Sequence, residues 1–276
     1  MIVRKSAAEI EKMRIAGRVV AEVLESIAQA IVPGVTRTLD LDLLALQISK
    51  RHGAIPAFKG YRGYPANTCI SVNEAVVHGI PGDRVLLNGD IVSVDFACSV
   101  GGYFADAAVT LPIGEVNPEA RRLIAVTREC LFKGIAQARV GARLGDVASA
   151  IQRHAERAGY GVVRELVGHG VGRAMHEEPQ VPNYGRSGKG ERLVDGMTLA
   201  IEPMINQGVA GVNELADKWT VVTKDGKLSA HFEHTVAITR RGADILTLPA
   251  PLTGASSVED GGAAMTDNRV LAGAAQ

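Results

Sequence analysis

At 276 residues the chain is long enough for one large domain or two small ones with a sizeable core. Its 30 basic residues are matched by 30 acidic ones, which excludes the basic footprint of a nucleic-acid or acidic-membrane binder, and a 46% apolar share fits an ordinary globular protein. The three cysteines, Cys69, Cys98 and Cys130, are odd in number and form no C-x-x-C pair, which argues against a disulfide framework or a thiolate zinc site and fits a reducing cytoplasm.

The first residues, MIVRKSAAEIEKM, hold no long apolar run, so neither a signal peptide nor a membrane span is expected. Ser6 and Glu9 form a capping-box pattern that opens a helix. Ile10, Met13, Ile15, Val19, Val20, Val23, Leu24 and Ile27 then recur at helical spacing up to the Pro33-Gly34 stop. A second helix is expected from Thr38 to Arg51, ended by Gly53. A strand-like run follows from Cys69 to Val72. Asp90 to Ser99 and Tyr103 to Leu111 flank Gly101-Gly102, a hairpin signal.

The second half repeats the plan. Asn117-Pro118 starts a helix expected to run to about Val140, and a shorter one is expected from Asp146 to Ala158, stopped by Gly159. Val162 to Val167 reads as a strand. Trp219 to Thr223 and Leu228 to Thr239 flank Asp225-Gly226, a second hairpin signal. Long helix, shorter helix, strand, twice over, hints at a pseudo-twofold architecture. Grouped helices with antiparallel hairpins between them favour an α+β fold. The segment 250–276, rich in Ala, Gly and Ser, has no periodic apolar face and is expected to be a flexible C-terminal tail behind a single catalytic domain spanning 1–249.

Five side chains stand where charge is costly. Asp95 and Asp106 lie on opposite arms of the first hairpin. The turn parity places both on one face, as direct or diagonal neighbours. Two carboxylates that close repel unless a cation lies between them or one is protonated. Glu202 lies in the apolar run Met197 to Ile205, and Glu233 in Phe232 to Ile238. Either glutamate alone could be a buried group satisfied by an arginine, but the pair with the two aspartates is harder to dismiss. The glycine-rich segment Gly168 to Pro179 adds His169 and His176, and Val76 to Pro81 adds His78. His52 and His154, on helices, read as ordinary structural histidines. Four carboxylates and one imidazole suit two divalent cations better than a single structural zinc. No serine nucleophile elbow, P-loop or dinucleotide fingerprint is present.

In that order and those contexts, Asp95, Asp106, His169, Glu202 and Glu233 resemble the metal ligands of the methionine aminopeptidases. GYPANTCISVNEAVVHGIP, GHGVGRAMHEEPQVPNY, AIEPMI and FEHTVAIT are similar to the signature stretches of that family, and the match extends to about Pro249. The resemblance implies the pita-bread α+β fold, two pseudo-symmetric halves around a curved antiparallel sheet flanked by helices. It also implies removal of an N-terminal methionine when the second residue is small. Because Glu202 and Glu233 are joined by only a short hairpin, and the first helix starts almost at Met1, the chain resembles the type I, short bacterial form.

The resemblance further implies a dinuclear centre of Co, Mn, Fe or Zn, with Asp106 and Glu233 bridging, Asp95 completing one metal's shell, and His169 and Glu202 the other's. Glu202 would accept the proton of an activated water, His176 would hydrogen-bond the scissile carbonyl, and His78 would contact the substrate's peptide nitrogen. Tyr61, Tyr64, Cys69, Met175 and Trp219 are the expected lining of a methionine pocket. A monovalent cation near Asn73 and Ser229 is implied by the same analogy. The implied partner is a nascent polypeptide or peptide, met at the ribosome though no basic patch supports docking there; a monomer, no nucleic acid and no membrane are expected. Three positions depart from the family pattern. Phe58 stands where a small thiol residue is frequent, Met175 where phenylalanine is common, and His231 where glutamine is common. His231 shares strand parity with Glu233 and is expected to face the site. Alternative readings are a proline-specific peptidase of the same fold, such as prolidase or aminopeptidase P, and a metal-free binding protein on this scaffold.

Overall fold

The computed structural model describes residues 2–249, and the expected tail lies outside the described residues. Helix α1 (Ala7–Ala30) is opened by the expected capping box, with the Ser6 side chain on the Glu9 N–H and the Glu9 carboxylate on the Ser6 N–H. Helix α2 spans Thr38–Arg51, and Gly53, with φ 62, turns the chain away. Helix α3 (Pro118–Gln137) starts on the Asn117 cap with proline in its first turn, and ends three residues before the expected Val140. There the Gly141 N–H bonds to the Leu193 carbonyl and draws the chain off the helix axis. Helix α4 spans Leu144–Arg157. Among the described residues no helix is long and apolar enough to cross a membrane.

The strands are, in chain order, β1 (Ile55–Pro56), β2 (Cys69–Val72), β3 (Ala75–Val77), β4 (Ile91–Val100) and β5 (Tyr103–Pro112) before α3. After α4 come β6 (Gly161–Val162), β7 (Gly168–Gly170), β8 (Glu177–Val181), β9 (Thr198–Ile201) and β10 (Met204–Asn206). The last five are β11 (Val212–Glu214), β12 (Val221–Thr223), β13 (Ser229–His231), β14 (Glu233–Thr239) and β15 (Gly242–Ile245). The main sheet runs β1-β4-β5-β14-β9-β7-β8, with β2 on β4 and β15 on β14, and its pairings are antiparallel. Helix α1 lies on β4 and β5, and the buried aliphatic residues of both layers form one core. The helix pairs α1–α2 and α3–α4 match in plan, a long helix followed by one of 14 residues in each half.

Two expected strands differ. Only Gly161–Val162 of the run to Val167 is a strand, because Arg164 and Glu165 turn outward into water with no partner strand beside them. The turn at Asp225-Gly226 does not close a hairpin: β12 pairs with β11 and β3, whereas β13 pairs with β10. The run from Leu228 to Thr239 is also broken at Phe232, whose N–H reaches the Pro203 carbonyl.

Candidate metal centre

The sheet register assembles the site. Across the strands, Cys69 lies opposite Asp95, Asp95 opposite Ala108, and Ala108 opposite Glu233. Opposed residues share a face, so these four form one row. A second row, two residues along, holds Ala97, Asp106, Thr235, Ala200 and His169. The two-residue turn Gly101-Gly102, with φ 57 and 78, fixes the Val100–Tyr103 pairing, which makes Asp95 and Asp106 diagonal neighbours on one face. Alternation carries Glu202, two residues past Ala200, to the same side. Alanines at 97, 108 and 200 separate the acidic groups and keep the space above them open.

Gly168 and Gly170 are required by close strand packing: a Cβ there would stand 2.4 Å from the Ala200 carbonyl oxygen and 2.3 Å from that of Glu178. The glycine-rich segment thus opens with a short strand, Gly168–Gly170, with a bulge at His169–Gly170. The His169 Nδ1–H donates to the Gly170 carbonyl at 2.9 Å, which leaves Nε2 as a lone-pair donor aimed inward. That Nε2 is 3.6 Å from Glu202 Oε1 and 4.0 Å from Asp106 Oδ2. Donor atoms of Asp106, His169 and Glu233 all lie within 4.8 Å of one another.

The electrostatics are those of a site built for positive charge. Asp95, Glu202 and Glu233 are pushed well above the carboxylate range, first by burial and then by neighbouring carboxylates, and burial pushes Asp106 to about 7. Buried oxygens Asp95 Oδ1, Asp106 Oδ1 and Glu233 Oε1 have no hydrogen-bond partner. Orphaned buried oxygens in such a group are rare in native proteins, and hard cations satisfy them. The residues present therefore fit divalent metal ions: oxygen donors in excess, one oriented imidazole nitrogen, and no competing lysine or arginine among the cluster's close ion pairs.

All twelve residues expected from sequence line one cavity of about 560 Å³. Beside the metal-ligand residues, where Cys69 lies opposite Asp95, Tyr64, Cys69, Met175 and Phe58 are buried in a small apolar cluster with Tyr61 and Trp219 packed against it. The Tyr64 and Trp219 rings meet edge-on at 5.0 Å, and Phe58 meets Tyr64 at 6.4 Å. Tyr61 stacks on His176 at 5.2 Å, and the His176 ring is 4.1 Å from that of His169. Burial and the neighbouring His169 push His176 down to about 3, and burial lowers His78 as well, so both are neutral imidazoles. His78 holds φ 60, a left-handed conformation costly for a residue with a Cβ, of the kind that clusters at ligand sites. His52 and His154 instead pair with Glu22 and Glu129 on the helices, outside this cavity.

Sequence reasoning missed the clamp on the His176 loop. Lys5 is buried, its Nζ donates to Glu177 Oε2, and the Glu177 Oε1 accepts from the backbone N–H groups of Arg173 and Ala174 at 2.7 and 3.2 Å. Arg173 Nη2 also reaches Glu9 Oε1 at 3.3 Å. The segment carrying Met175 and His176 is thus tied to the start of α1. A buried lysine one position before a helix cap has no periodic signal; only its burial exposes it. Asn73 and Ser229 are in contact, the Ser229 N–H donating to the Asn73 carbonyl. The Asn73 side chain bonds Asp90 and the Ile91 N–H, and that of Ser229 bonds Asn206.

Comparison with known proteins agrees with this geometry. The profile of metallopeptidase family M24 matches residues 11–240. A methionine aminopeptidase of Clostridium acetobutylicum is 54% identical over 249 residues, covering 90% of this chain and 99% of that one. Methionine aminopeptidase 1 of Bacillus subtilis is 51% identical over 247 residues, covering 90% and 99%. The crystal structure of the methionine aminopeptidase from Thermotoga maritima superposes with a TM-score of 0.88 at 51% identity, covering 90% of this chain and all of that one. Prolidase from Pyrococcus furiosus shares the fold alone, at TM-score 0.74 and 24% identity over 90% of this chain and 66% of its own. The pita-bread α+β architecture expected from sequence is the one found.

Proposed function

Since the chain belongs to metallopeptidase family M24, we propose that it is a methionyl aminopeptidase, which hydrolyses the first peptide bond of polypeptides that begin with methionine and carry a small second residue. One observation carries the reading: orphaned buried carboxylate oxygens share one cavity with an adjoining apolar, sulfur- and aromatic-lined pocket. An unbranched thioether suits Tyr64, Cys69, Met175 and Trp219, with Phe58 narrowing the pocket where it departs from the family pattern. The preference for a small second side chain follows from the family resemblance.

Asp95, Asp106, His169, Glu202 and Glu233 would hold two divalent cations. Mn²⁺, Fe²⁺, Co²⁺ and Zn²⁺ all suit this donor set. When bound, such ions supply Lewis acidity, lowering the pKa of water and polarising the scissile carbonyl. Glu202 accepts the proton of the attacking water, being the carboxylate nearest His169 and at the cavity wall. His176, neutral and stacked on Tyr61, donates to the scissile carbonyl oxygen as it gains charge. His78, fixed beside Trp219, contacts the peptide nitrogen and aids its departure as an amine. Residues 1–249 act as one catalytic domain, and the substrate in the cell is the nascent chain.

Peptide hydrolysis with and without a chelator tests this. Met-Ala-Ser should release free methionine only when cations are present, and Ala-Pro should stay intact. Methionine release that survives complete metal stripping would refute the mechanism, and cleavage of Ala-Pro alone would turn the assignment to a proline-specific peptidase.

A further inference from the structure

His231 lies behind the metal-ligand carboxylates. It is 1% exposed and is not among the residues that line the cavity. Its main chain is pinned on both sides by Thr110, whose Oγ1 accepts from the His231 N–H at 2.8 Å and donates to its carbonyl at 2.8 Å. In contrast, neither ring nitrogen has a hydrogen-bond partner. An imidazole sealed from water with both nitrogens unused loses its hydration and gains nothing from packing that an aliphatic side chain would not supply.

What the ring faces gives it a use. Nε2 is 3.9 Å from Glu202 Oε2 and 4.0 Å from Glu233 Oε2. The Glu202 carboxylate therefore stands between two imidazoles, with Oε1 toward His169 and Oε2 toward His231. A hydrogen bond needs the gap to shrink by about 1 Å. Direct ligation fits less well, because all five proposed ligands line the cavity and His231 does not. An imidazole carries at least one ring N–H in either of its common protonation states, so a hydrogen is there to donate.

We propose that His231 is a positioning residue of the metal centre, donating its Nε2–H to Glu202 and holding that carboxylate in the orientation that binds cations and receives the proton. The proposal rests on the functional reading above and deepens it. Groups that orient a ligating carboxylate in this way usually contribute tenfold to a hundredfold in cation affinity.

The test compares His231→Leu with His231→Gln, whose amide keeps an N–H donor of similar reach. Metal-stripped proteins are titrated with Co²⁺ by calorimetry and by visible absorption, and turnover is measured on Met-Ala-Ser. His231→Leu should fold, keep the parent's stoichiometry, and bind Co²⁺ about 10- to 100-fold more weakly. His231→Gln should recover affinity to within about threefold and leave the Co²⁺ absorption bands in place, as a ligand outside the inner sphere requires. Unchanged affinity in His231→Leu would overturn the proposal. So would a His231→Gln variant as weak as His231→Leu with altered bands, since that identifies a direct nitrogen ligand. If the parent binds Co²⁺ but releases no methionine, the enzymatic reading fails while the affinity comparison still decides the role of His231.

Discussion

Two regions of this molecule bury carboxylates, and they treat them oppositely. Asp42, on α2, is 4% exposed. Its Oδ1 accepts from the Asn67 N–H at 2.8 Å, the Thr68 N–H at 2.8 Å and the Thr68 hydroxyl at 2.9 Å, and its Oδ2 from the Asn67 amide at 2.6 Å. Every donor comes from the segment that joins Tyr64 to Cys69, so Asp42 folds one wall of the pocket. The cluster of Asp95, Asp106, Glu202 and Glu233 has no such set of donors, and three of its oxygens are orphaned. Equal burial therefore means different things. A carboxylate surrounded by N–H and O–H groups is complete as folded, whereas a group of carboxylates facing one another is complete only with a cation.

The largest expected effect separates the two regions by chemistry. Asp106→Asn should lower turnover of Met-Ala-Ser by on the order of 10³-fold or more, as loss of a group acting at the reacting centre does. Calorimetry should show that it also loses cation binding. Asp42→Asn should keep the full cation stoichiometry. An active, metal-replete Asp106→Asn would erase the distinction.

Stability should separate them by sign. In the metal-stripped protein, Asp42→Ala strands the buried donors of Asn67 and Thr68 and should cost about 3 kcal/mol. Asp95→Asn removes a buried charge from its neighbours and should stabilise the same apoprotein by about 1 kcal/mol. Urea midpoints measure both. If both variants lose stability alike, the cluster is a structural network and not a waiting cation site.

A smaller effect concerns the loop that closes over the centre. Lys5→Met removes the clamp on Glu177 without touching any donor of the cluster. It should lower kcat about tenfold by letting His176 drift, the cost of a slightly misplaced catalytic group. Cation affinity by calorimetry should be unchanged; a parallel fall in affinity would mean that the clamp shapes the metal site itself.

What could be read from sequence follows the range of each interaction. Helix ends were legible because their signals are local: Ser6 with Glu9, Asn117 with Pro118, and the glycines at 53 and 159. The pairing of Asp95 with Asp106 was legible because a two-residue turn fixes register for a whole hairpin. The turn at Asp225-Gly226 carried the same kind of signal but misled, because β12 and β13 find stronger partners in distant strands. Lys5 meets Glu177 across 172 positions, and His231 meets Glu202 through the crossing of two sheets. Nothing near Lys5 in sequence announces its contact, whereas parity with Glu233 marked the direction of His231 but not its approach to Glu202.

The last contrast is between a carboxylate raised by its surroundings and one lowered by them. Glu9 caps α1 and accepts from the Ser6 N–H and hydroxyl, from the Tyr103 hydroxyl at 2.9 Å and from Arg173 at 3.3 Å. The Ser6 backbone bond first, then Tyr103, hold its carboxyl down at about 2. Because the folded state favours ionised Glu9, its contribution is fully present above the ordinary glutamate pKa of about 4.5 and is lost as pH falls toward 2. Glu9→Gln should therefore be less stable than the parent at pH 6, and the two urea midpoints should converge as the pH is lowered through that window. The effect is the smallest of the four, since the carboxylate is in contact with water and is screened. A gap between the midpoints that stays constant from pH 6 to pH 2 would show that Glu9 acts through its shape at the helix start and not through its charge.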